Sequence, residues 1–240
     1  MPEPVCRRLL NGLFPQYCLY CGLPSRRALP LCQPCQRDLP RNRHGCQRCA
    51  LPLPPGPPGR LCGACLSEPP PMDGCVAPYL YGPELALIVR RWKYRPEYRL
   101  GASAIQLWLA AAPALPEVDA LLYVPLHWRK RLRRGFNQAD QLCRGLQRGH
   151  PALRHLPLLS RLLVRQRATT AQAGLDARAR ARNLRSAFTL RGHCDNLRIA
   201  VVDDVMTTGA TAHAIARCLK AGGAREVHLW CLARTPLPND

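Results

Sequence analysis

Apolar positions recur with two different periods after about residue 75 of this 240-residue chain. Helical spacing predicts helices over residues 84–92, 100–112, 137–147 and 212–221, and short apolar runs predict strands over residues 120–124, 199–202 and 226–233. Helices that alternate with strands are typical of a parallel sheet flanked by helices, so we expect an α/β fold with a doubly wound sheet. Ligands of such folds bind at the carboxyl ends of the strands.

The segment after the predicted strand 199–202 combines acidic and small residues. Asp203 and Asp204 come directly after the strand, and the small residues of the loop are Thr207, Thr208, Gly209, Ala210 and Thr211. The small side chains leave backbone N–H donors accessible, and Gly209 is free to take a positive φ. We predict that Thr211 caps the helix over 212–221, whose dipole favours an anion at its N-terminus. This order of strand, acids, loop and helix indicates a pocket for a phosphate.

The acidic pair distinguishes this loop from the commoner phosphate loop, whose G-x-x-x-x-G-K-[ST] pattern is absent from the chain. Carboxylates accept hydrogen bonds from neighbouring hydroxyls, and each charge-assisted bond contributes about 1.5 to 3 kcal/mol. A ribose 5-phosphate is therefore the natural guest. The alternative is a strand, a turn and a capped helix without a ligand, which leaves both acids and the small loop residues unexplained.

The same residues resemble the signature of type I phosphoribosyltransferases. The resemblance implies that Asp203 and Asp204 are the catalytic pair, which holds the ribose 2′- and 3′-hydroxyls of phosphoribosyl pyrophosphate (PRPP). It also implies that the loop at 207–211 binds the 5′-phosphate.

Cysteines are concentrated near the N-terminus, where ten of the 14 fall within the first 75 residues. Eight of them form four C-x-x-C pairs: Cys18 with Cys21, Cys32 with Cys35, Cys46 with Cys49, and Cys62 with Cys65. Two intervening residues let both thiolates face one tetrahedral ion, and four thiolates close a structural zinc site, so we expect two zinc ions. Joining the first two pairs and the last two pairs is the simplest arrangement, and an interleaved one stays open.

Disulfides are the competing explanation for these cysteines. The first 15 residues lack an apolar core of signal-peptide length, and the apolar segment 104–115 is too short to span a bilayer. We therefore expect a cytoplasmic protein without membrane insertion, whose reduced thiols bind zinc. Proline-rich stretches at 51–59 and 68–71 predict a loop and then a linker. The expected division is a double zinc ribbon over 1–75 and a second domain over 76–240.

A basic constellation follows the predicted strand 120–124, with five basic residues within positions 129–134. Arginine guanidinium groups bind phosphate oxygens in pairs, and a backbone turn adds N–H donors, so this segment suits a pyrophosphate. The candidate pyrophosphate-binding residues are Pro125, Leu126, His127 and Arg129. The alternative is a solvated basic turn. His127 either acts near the leaving group or is a structural residue, and Lys93 either reaches the site or is solvated.

A third segment, residues 161–185, contains seven arginines and one acid, Asp176. Arg178, Arg180 and Arg182 alternate, so they form no single stripe on a helix. Together with Thr169, Thr170, Gln172 and Gly174 they predict a flexible lid over a charged substrate, with a solvated surface loop as the alternative.

These motifs together resemble the ComF family of competence-associated proteins, also called the GntX-like group, over nearly the whole chain. Besides the four C-x-x-C pairs, the matching motifs lie at residues 10–15, 92–94, 124–128, 134–138, 172–175, 182–185 and 201–211. The resemblance implies a double zinc ribbon ahead of a type I phosphoribosyltransferase fold and an association with DNA uptake. It also implies an ATP-driven DNA translocase as a partner.

Two functions are consistent with these features. As an enzyme, the domain would bind PRPP with magnesium, and a nitrogen nucleophile would displace pyrophosphate while Asp203 and Asp204 stabilise the positive charge on the ribose. As a binding module, it would sense PRPP or a nucleotide without turnover and hold single-stranded DNA on its basic surface. The formal net charge of +20 favours contact with polyanions.

Overall fold

The computed structural model describes residues 16–25, 27, 29–94, 98–166 and 187–237. The predicted lid positions between 169 and 182, and the motifs at 10–15, 172–175 and 182–185, lie outside the described residues. The described strands are β1 (Gly74–Val76), β2 (Tyr79–Leu80), β3 (Ala120–Tyr123), β4 (Leu163–Arg165), β5 (Phe188–Leu190), β6 (Arg198–Met206) and β7 (Glu226–Arg234). The described α-helices are α1 (Gln33–Arg37), α2 (Gly63–Ser67), α3 (Pro83–Tyr94), α4 (Tyr98–Ala111), α5 (Trp128–Arg134), α6 (Gln138–Gly149) and α7 (Ala210–Ala221).

Five of these strands form a parallel sheet in the order β1, β7, β6, β3, with β2 also paired to β7. β6 and β7 pair from Arg198 opposite Glu226 to Met206 opposite Arg234. On its other side β6 pairs with β3 only as far as Val202, which lies opposite Tyr123. Residues 203–206 of β6 therefore extend past β3, and within the described part of the chain no strand pairs with them on that side.

The sheet is buried on both faces because successive side chains of a strand point in opposite directions. Ile199 and Val201 of β6 belong to a core that includes α7 and the second pair of C-x-x-C motifs. Ala200 and Val202 belong to a core that includes α3, α4, α6 and the first pair of motifs. A near-continuous apolar run is the pattern expected of such a strand.

The predicted α/β fold, a parallel sheet flanked by helices and preceded by a zinc-ribbon region, is confirmed. Two local predictions were wrong. The strand predicted to end at residue 202 runs through both aspartates to Met206, because β7 continues to pair with it. Gly209, rather than Thr211, is the N-cap of α7, so Thr211 lies inside the helix. The basic run, for which a solvated turn was the alternative to a pyrophosphate site, forms helix α5 after residues 124–127.

The division at residue 75 stays a prediction, although β1 begins at Gly74. β4 and β5 form a separate antiparallel pair that flanks the undescribed segment 167–186. None of the described helices has the length and apolar character needed to cross a membrane.

Candidate functional site

Two adjacent carboxylates lie on the part of β6 that extends past β3. The carboxylate of Asp203 accepts a hydrogen bond from the N–H of Asp204 at 2.8 Å, and the carboxylate of Asp204 accepts one from the N–H of Val205 at 2.8 Å. Asp204 is buried and Asp203 is partly buried. Strand alternation directs the two neighbouring side chains to opposite faces of the sheet at the end of β6.

Lys93, near the end of α3, is the counter-ion of this pair. Its Nζ lies 2.5 Å from Oδ2 of Asp204, and its side chain is 26% exposed. Burial disfavours the ammonium ion, but the attraction of Asp204 outweighs burial and raises the pKa of Lys93. Of the two alternatives for Lys93, the contact with the acidic pair is the one observed.

Asp203 has an unusual acidity for an aspartate. Burial and the neighbouring charge of Asp204 raise the pKa of Asp203 to about 7, although Lys93 opposes this effect. The carboxyl group therefore changes its charge near neutral pH, because two like charges so close together in a partly desolvated place are costly. Perturbed acids of this kind are concentrated at functional sites.

The loop after β6 has the geometry that the small residues predict. Thr207 and Thr208 are exposed, and Gly209 adopts φ +80° as the N-cap of α7. The N–H of Ala210 donates to Oγ1 of Thr208 at 3.4 Å, and helix α7 continues for 12 residues. An anion at this loop would meet the N-terminal N–H groups of α7 and the positive end of the helix dipole.

Gly209 is closely surrounded as well as left-handed. A Cβ atom at this position would lie 2.8 Å from Cε of Met206 and 3.2 Å from Nε2 of His213. His213 is thus beside the loop, and burial and the charges of Arg217 and Arg234 lower its pKa. No local sequence pattern pointed to His213, although its position in the first turn of α7 follows directly from the loop.

The carboxyl end of β3 brings a set of cations to the same edge. His127 is buried and caps α5, with its Nδ1 accepting a hydrogen bond from the N–H of Arg129 at 3.3 Å. The structural role considered for His127 is thus present in the fold. Pro125 and Leu126 are partly buried, whereas Arg129 is exposed and its guanidinium carbon lies 5.2 Å from the ring centre of Trp128.

Two further cations belong to this edge, although no local sequence pattern pointed to them. Lys130 is partly buried, and burial together with the charges of Arg165, Arg134, Arg133 and Lys93 lowers its pKa. Burial also lowers the pKa of Arg165, while Asp203 opposes that shift. These mutual effects show that the ends of α3, β3, β4 and β6 share one electrostatic environment. Lysine is rare in this arginine-rich chain, and that rarity was the signal that could have identified Lys130.

A cavity of about 680 Å³ adjoins these cations between α5, α6 and β4. Its lining includes the aromatic residues Tyr123, Trp128 and Phe136 and the basic residues Arg131, Arg144 and Arg165. Trp128 is 58% exposed, which is unusual for a side chain of its size. Aromatic faces next to arginines suit a planar, negatively charged ligand.

The eight paired cysteines form two groups in the order of the chain. One contains Cys18, Cys21, Cys32 and Cys35, and the other contains Cys46, Cys49, Cys62 and Cys65; within each, the sulfur atoms lie within 4.8 Å of one another. Sequential pairing is therefore correct. Tetrahedral zinc with Zn–S bonds of about 2.3 Å requires sulfur atoms about 3.8 Å apart. The sulfur atoms of Cys21 and Cys32 are 3.8 Å apart and those of Cys49 and Cys62 are 3.6 Å apart, so both groups fit a structural zinc ion.

The fold and the cysteine groups define the class of this protein, in which two groups of four cysteines precede an α/β domain with a parallel sheet. The family model described as "Double zinc ribbon domain" matches residues 9–66. DNA utilization protein YhgH of Salmonella typhi is 36% identical over 228 residues, covering 92% of this chain and 98% of the relative. Competence protein F of Haemophilus influenzae is 33% identical over 215 residues, covering 85% of this chain and 90% of the relative. The chain belongs to this family, the ComF family of competence-associated proteins.

The solved structures that match this chain include the glutamine PRPP amidotransferase from B. subtilis complexed with ADP and GMP. It shares 19% identity with this chain at a TM-score of 0.35. The match covers 60% of this chain but only 26% of that chain, about a quarter of the larger enzyme.

Proposed function

We propose that this protein binds magnesium-complexed PRPP at the carboxyl ends of β6 and β3. The observation that carries the proposal is the convergence of two carboxylates, a glycine loop at a helix N-terminus and several cations at one sheet edge. PRPP has matching groups, because it presents two ribose hydroxyls between a phosphate and a pyrophosphate. Few other metabolites need acceptors and anion sites in this order.

Each part of the ligand has an expected partner. Asp203 and Asp204 would accept hydrogen bonds from the ribose hydroxyls, and residues 207–211 would hold the 5′-phosphate through backbone N–H groups. The pyrophosphate would lie at the segment from Pro125 to Arg129, and Lys130 and Arg165 add the charge that this dense anion needs. The magnesium ion would arrive with PRPP and neutralise part of the pyrophosphate charge.

The reaction proposed for this site is transfer of the phosphoribosyl group to a nitrogen base. The nitrogen lone pair forms a bond to the anomeric carbon, the bond from that carbon to the pyrophosphate oxygen breaks, and the nitrogen loses its proton to solvent or a base. Positive charge grows on the ribose ring in the transition state. Asp203 and Asp204, fixed by their backbone hydrogen bonds, would stabilise that charge without reorganising.

Calorimetric titration of PRPP with magnesium into the zinc-loaded protein tests the binding site. The wild type should bind, and a variant with Asp203→Asn and Asp204→Asn should bind at least about 100-fold more weakly, because two charge-assisted bonds are weakened. Asp119→Asn is the matched control. Asp119 accepts three hydrogen bonds from Arg198 at the opposite end of the sheet, so its loss should lower stability and leave PRPP affinity unchanged.

Turnover is tested separately by assaying pyrophosphate release from the saturated protein with a panel of nitrogen bases. Base-dependent release would establish the transferase. Binding without release for any base would leave a PRPP sensor. Absence of heat in the folded, zinc-loaded wild type would reject PRPP as the ligand.

A second candidate function is the binding of single-stranded DNA in DNA transport. The exposed Trp128 beside Arg129, next to the aromatic and basic cavity, favours it, because bases stack on aromatic side chains and arginines hold the backbone. The names of the relatives refer to DNA utilization and competence. Trp128→Ala should weaken binding of a fluorescent oligonucleotide about tenfold, since stacking contributes about 1–3 kcal/mol per base.

The salt dependence of the same titration gives the electrostatic contribution to the affinity for DNA. The logarithm of the affinity should fall more steeply with the logarithm of the salt concentration when more phosphates are contacted. Unchanged affinity in Trp128→Ala, or affinity independent of salt, would argue against this surface. The proposed contact with an ATP-driven DNA translocase is tested by co-purification of the full chain with that partner.

A further inference from the structure

Arg234, the last residue of β7, connects two regions that are distant in sequence. It is 6% exposed, and its Nε donates to the carbonyl oxygen of Cys49 at 3.0 Å. Its Nη1 donates to the carbonyl oxygens of Met206 at 3.3 Å and Thr235 at 2.6 Å, and also to that of Thr207. One guanidinium thus joins the second cysteine group to the start of the loop at 207–211.

The charge of Arg234 is not balanced by a carboxylate. Among the residues that the structure describes, no aspartate or glutamate forms an ion pair with it, and the acceptors around it are neutral carbonyls. A buried cation with neutral acceptors is costly to desolvate, and the four thiolates of the adjacent cysteine group, with zinc bound, would carry a net negative charge that offsets it. Arg234 therefore acts on the loop through its hydrogen bonds to the carbonyls of Met206 and Thr207.

Two further contacts join the second cysteine group to the same place. Gln47, between Cys46 and Cys49, accepts a hydrogen bond at its carbonyl from the N–H of Cys75 at 3.0 Å. The sulfur of Cys75 lies 3.7 Å from the sulfur of Met206, the residue directly before the loop. The four cysteines of this group are buried in one core with Met206 and α7.

The first cysteine group has different neighbours. Its Cys18 and Cys32 belong to the core on the opposite face of the sheet, with α3 and α4. The hydroxyl of Tyr20 donates to the carbonyl of Glu84, in the first turn of α3. This group therefore supports the helix that carries Lys93, whereas the second group supports the loop.

We propose that Arg234 is a positioning residue through which zinc in the second cysteine group fixes the phosphate loop. Zinc bound to its four thiolates holds the backbone at Cys49 in place. That carbonyl orients the guanidinium, which in turn fixes the carbonyls of Met206 and Thr207 so that the following N–H groups point to the ligand. The coupling to PRPP affinity rests on the proposed function, but the coupling to loop order does not.

Arg234→Gln and Arg198→Gln form a matched pair of variants for the test. Arg198 begins β6 and bonds Asp119 at the far end of the same strand that Arg234 supports at its carboxyl end. Both variants lose a hydrogen-bonding guanidinium, so both should melt at lower temperature. Only Arg234→Gln should raise amide hydrogen exchange at residues 206–211, by about tenfold or more, while zinc content stays at two ions per chain.

Binding of PRPP with magnesium supplies a second readout. Arg234→Gln should weaken it about 30-fold, since the loop loses the hydrogen bonds that hold the carbonyls of Met206 and Thr207, and Arg198→Gln should leave it unchanged. Arg234→Lys should recover part of the affinity, because its ammonium group restores some of the carbonyl contacts. Equal loop exchange in Arg234→Gln and Arg198→Gln would overturn the proposal.

The zinc itself is tested by removing one site at a time. Cys62→Ser with Cys65→Ser should retain one zinc and show the fast loop exchange of Arg234→Gln, whereas Cys18→Ser with Cys21→Ser should retain one zinc and a protected loop. If both double variants expose the loop equally, the second site has no special role. If the variant with Cys62→Ser and Cys65→Ser fails to fold, the comparison of Arg234→Gln with Arg198→Gln still tests whether Arg234 fixes the loop. If the wild type does not bind PRPP, the proposed function fails while the exchange results still establish or reject the coupling.

Discussion

The carboxyl ends of β6 and β3 are neighbours in the sheet but have opposite chemistry. The end of β6 carries two carboxylates with fixed backbone partners, a lysine counter-ion and a glycine loop. The end of β3 leads into α5, a short helix of arginines and one lysine whose charges repel one another. At the first end the carboxylates have a counter-ion and backbone donors, whereas the second has cations in excess. This difference matches the division of PRPP proposed above, with hydroxyls at β6 and a dense anion at β3.

The sharpest way to separate the two ends uses one glycine from each. Gly209 has φ +80° and Gly135 has φ +78°, so alanine costs about 1–2 kcal/mol of backbone strain at either position. At Gly209 the new Cβ would also meet Cε of Met206 at 2.8 Å, whereas at Gly135 no atom lies within 4 Å. Gly209→Ala should therefore displace the loop and weaken PRPP binding about 100-fold, because displacements near 1 Å have effects of that size.

Gly135→Ala is the control for that experiment, measured by the same calorimetric titration and by urea unfolding. It should lose about 1 kcal/mol of stability and change PRPP affinity by less than about threefold. Equal losses of affinity at the two positions would mean that strain, and not the shape of the phosphate loop, decides binding.

The two ends also differ in how far the sequence could predict them. The β6 end could be predicted from local sequence alone, because its acidic pair, Asp203 and Asp204, lies close in the chain to the loop at 207–211. The extension of β6 to Met206 depends on pairing with β7, which no local pattern records. The α5 helix was missed because a run of arginines has the same composition in a turn as in a helix. Its ends depend on His127 as the N-cap, an uncommon residue there, and on left-handed Gly135.

Several residues around the site act over long sequence distances, and of these the sequence had suggested only Lys93, as one of two alternatives. Lys93 reaches Asp204 across 111 positions of the chain, Arg165 comes from a separate β-pair, and Arg234 contacts Cys49 from the far end of the sequence. Spacing predicted both zinc groups and favoured the sequential pairing that is observed, but it left the interleaved pairing open because the two arrangements have the same local geometry. The fold class was predictable since periodicity and cysteine spacing are local, and the cations of the site were not since the tertiary fold assembles them.

The counter-ion at the β6 end gives the next largest effect. Lys93→Met would leave the adjacent charges of Asp203 and Asp204 without their partner. Removing one member of a buried ion pair costs about 3–5 kcal/mol, and the 26% exposure of Lys93 reduces the expected loss to about 2 kcal/mol at pH 8. At pH 5 the loss should be smaller, because Asp203, with a pKa raised to about 7 by burial and Asp204, is then protonated.

Urea unfolding at the two pH values measures this effect. Lys93→Arg should restore most of the stability, since it returns a cation to the pair. A loss that is equal at pH 5 and pH 8 would show that Lys93 stabilises the fold by packing alone, and the electrostatic distinction between the two strand ends would then be weaker.

The acidity of Asp203 makes binding at the β6 end depend on pH. The raised pKa of about 7, caused by burial and by Asp204, leaves Asp203 mostly protonated at pH 6 and mostly ionised at pH 8. If the ionised form binds the ribose, PRPP affinity should rise about tenfold over this range as the ionised fraction increases. In Asp203→Asn only the titration of PRPP itself can change the affinity with pH. Subtracting the pH profile of this variant from that of the wild type therefore isolates the effect of Asp203. Parallel profiles in wild type and variant would assign the pH dependence to PRPP itself.

The same raised pKa has the opposite effect on the stability of the free protein. Between about pH 4 and pH 7 the folded state holds a proton on Asp203 that the unfolded state has released, so this group's contribution to stability decreases as pH rises. As pH rises towards 7, the stability of the free protein should therefore fall while the affinity for PRPP rises. This combination is expected of a group whose role is to bind the ligand rather than to stabilise the fold.

At the β3 end, Lys130 should also have opposite effects on the stability of the free protein and on ligand affinity, and these effects are smaller. Burial and the surrounding cations lower the pKa of Lys130, so its charge is unfavourable in the free protein. Lys130→Gln should therefore unfold at a slightly higher urea concentration, with a gain of about 0.5 kcal/mol, which is typical of partly exposed charges. The same variant should bind pyrophosphate about threefold more weakly, because the anion loses one of the cations that held it. At the β6 end, by contrast, replacing Lys93 should lower the free energy of unfolding. Opposite changes in the free energy of unfolding at the two lysines would show that Lys93 stabilises the fold, whereas Lys130 destabilises it and serves to bind an anion. A loss of stability in Lys130→Gln without a change in pyrophosphate affinity would place Lys130 with Lys93 and leave the β3 end without a demonstrated ligand.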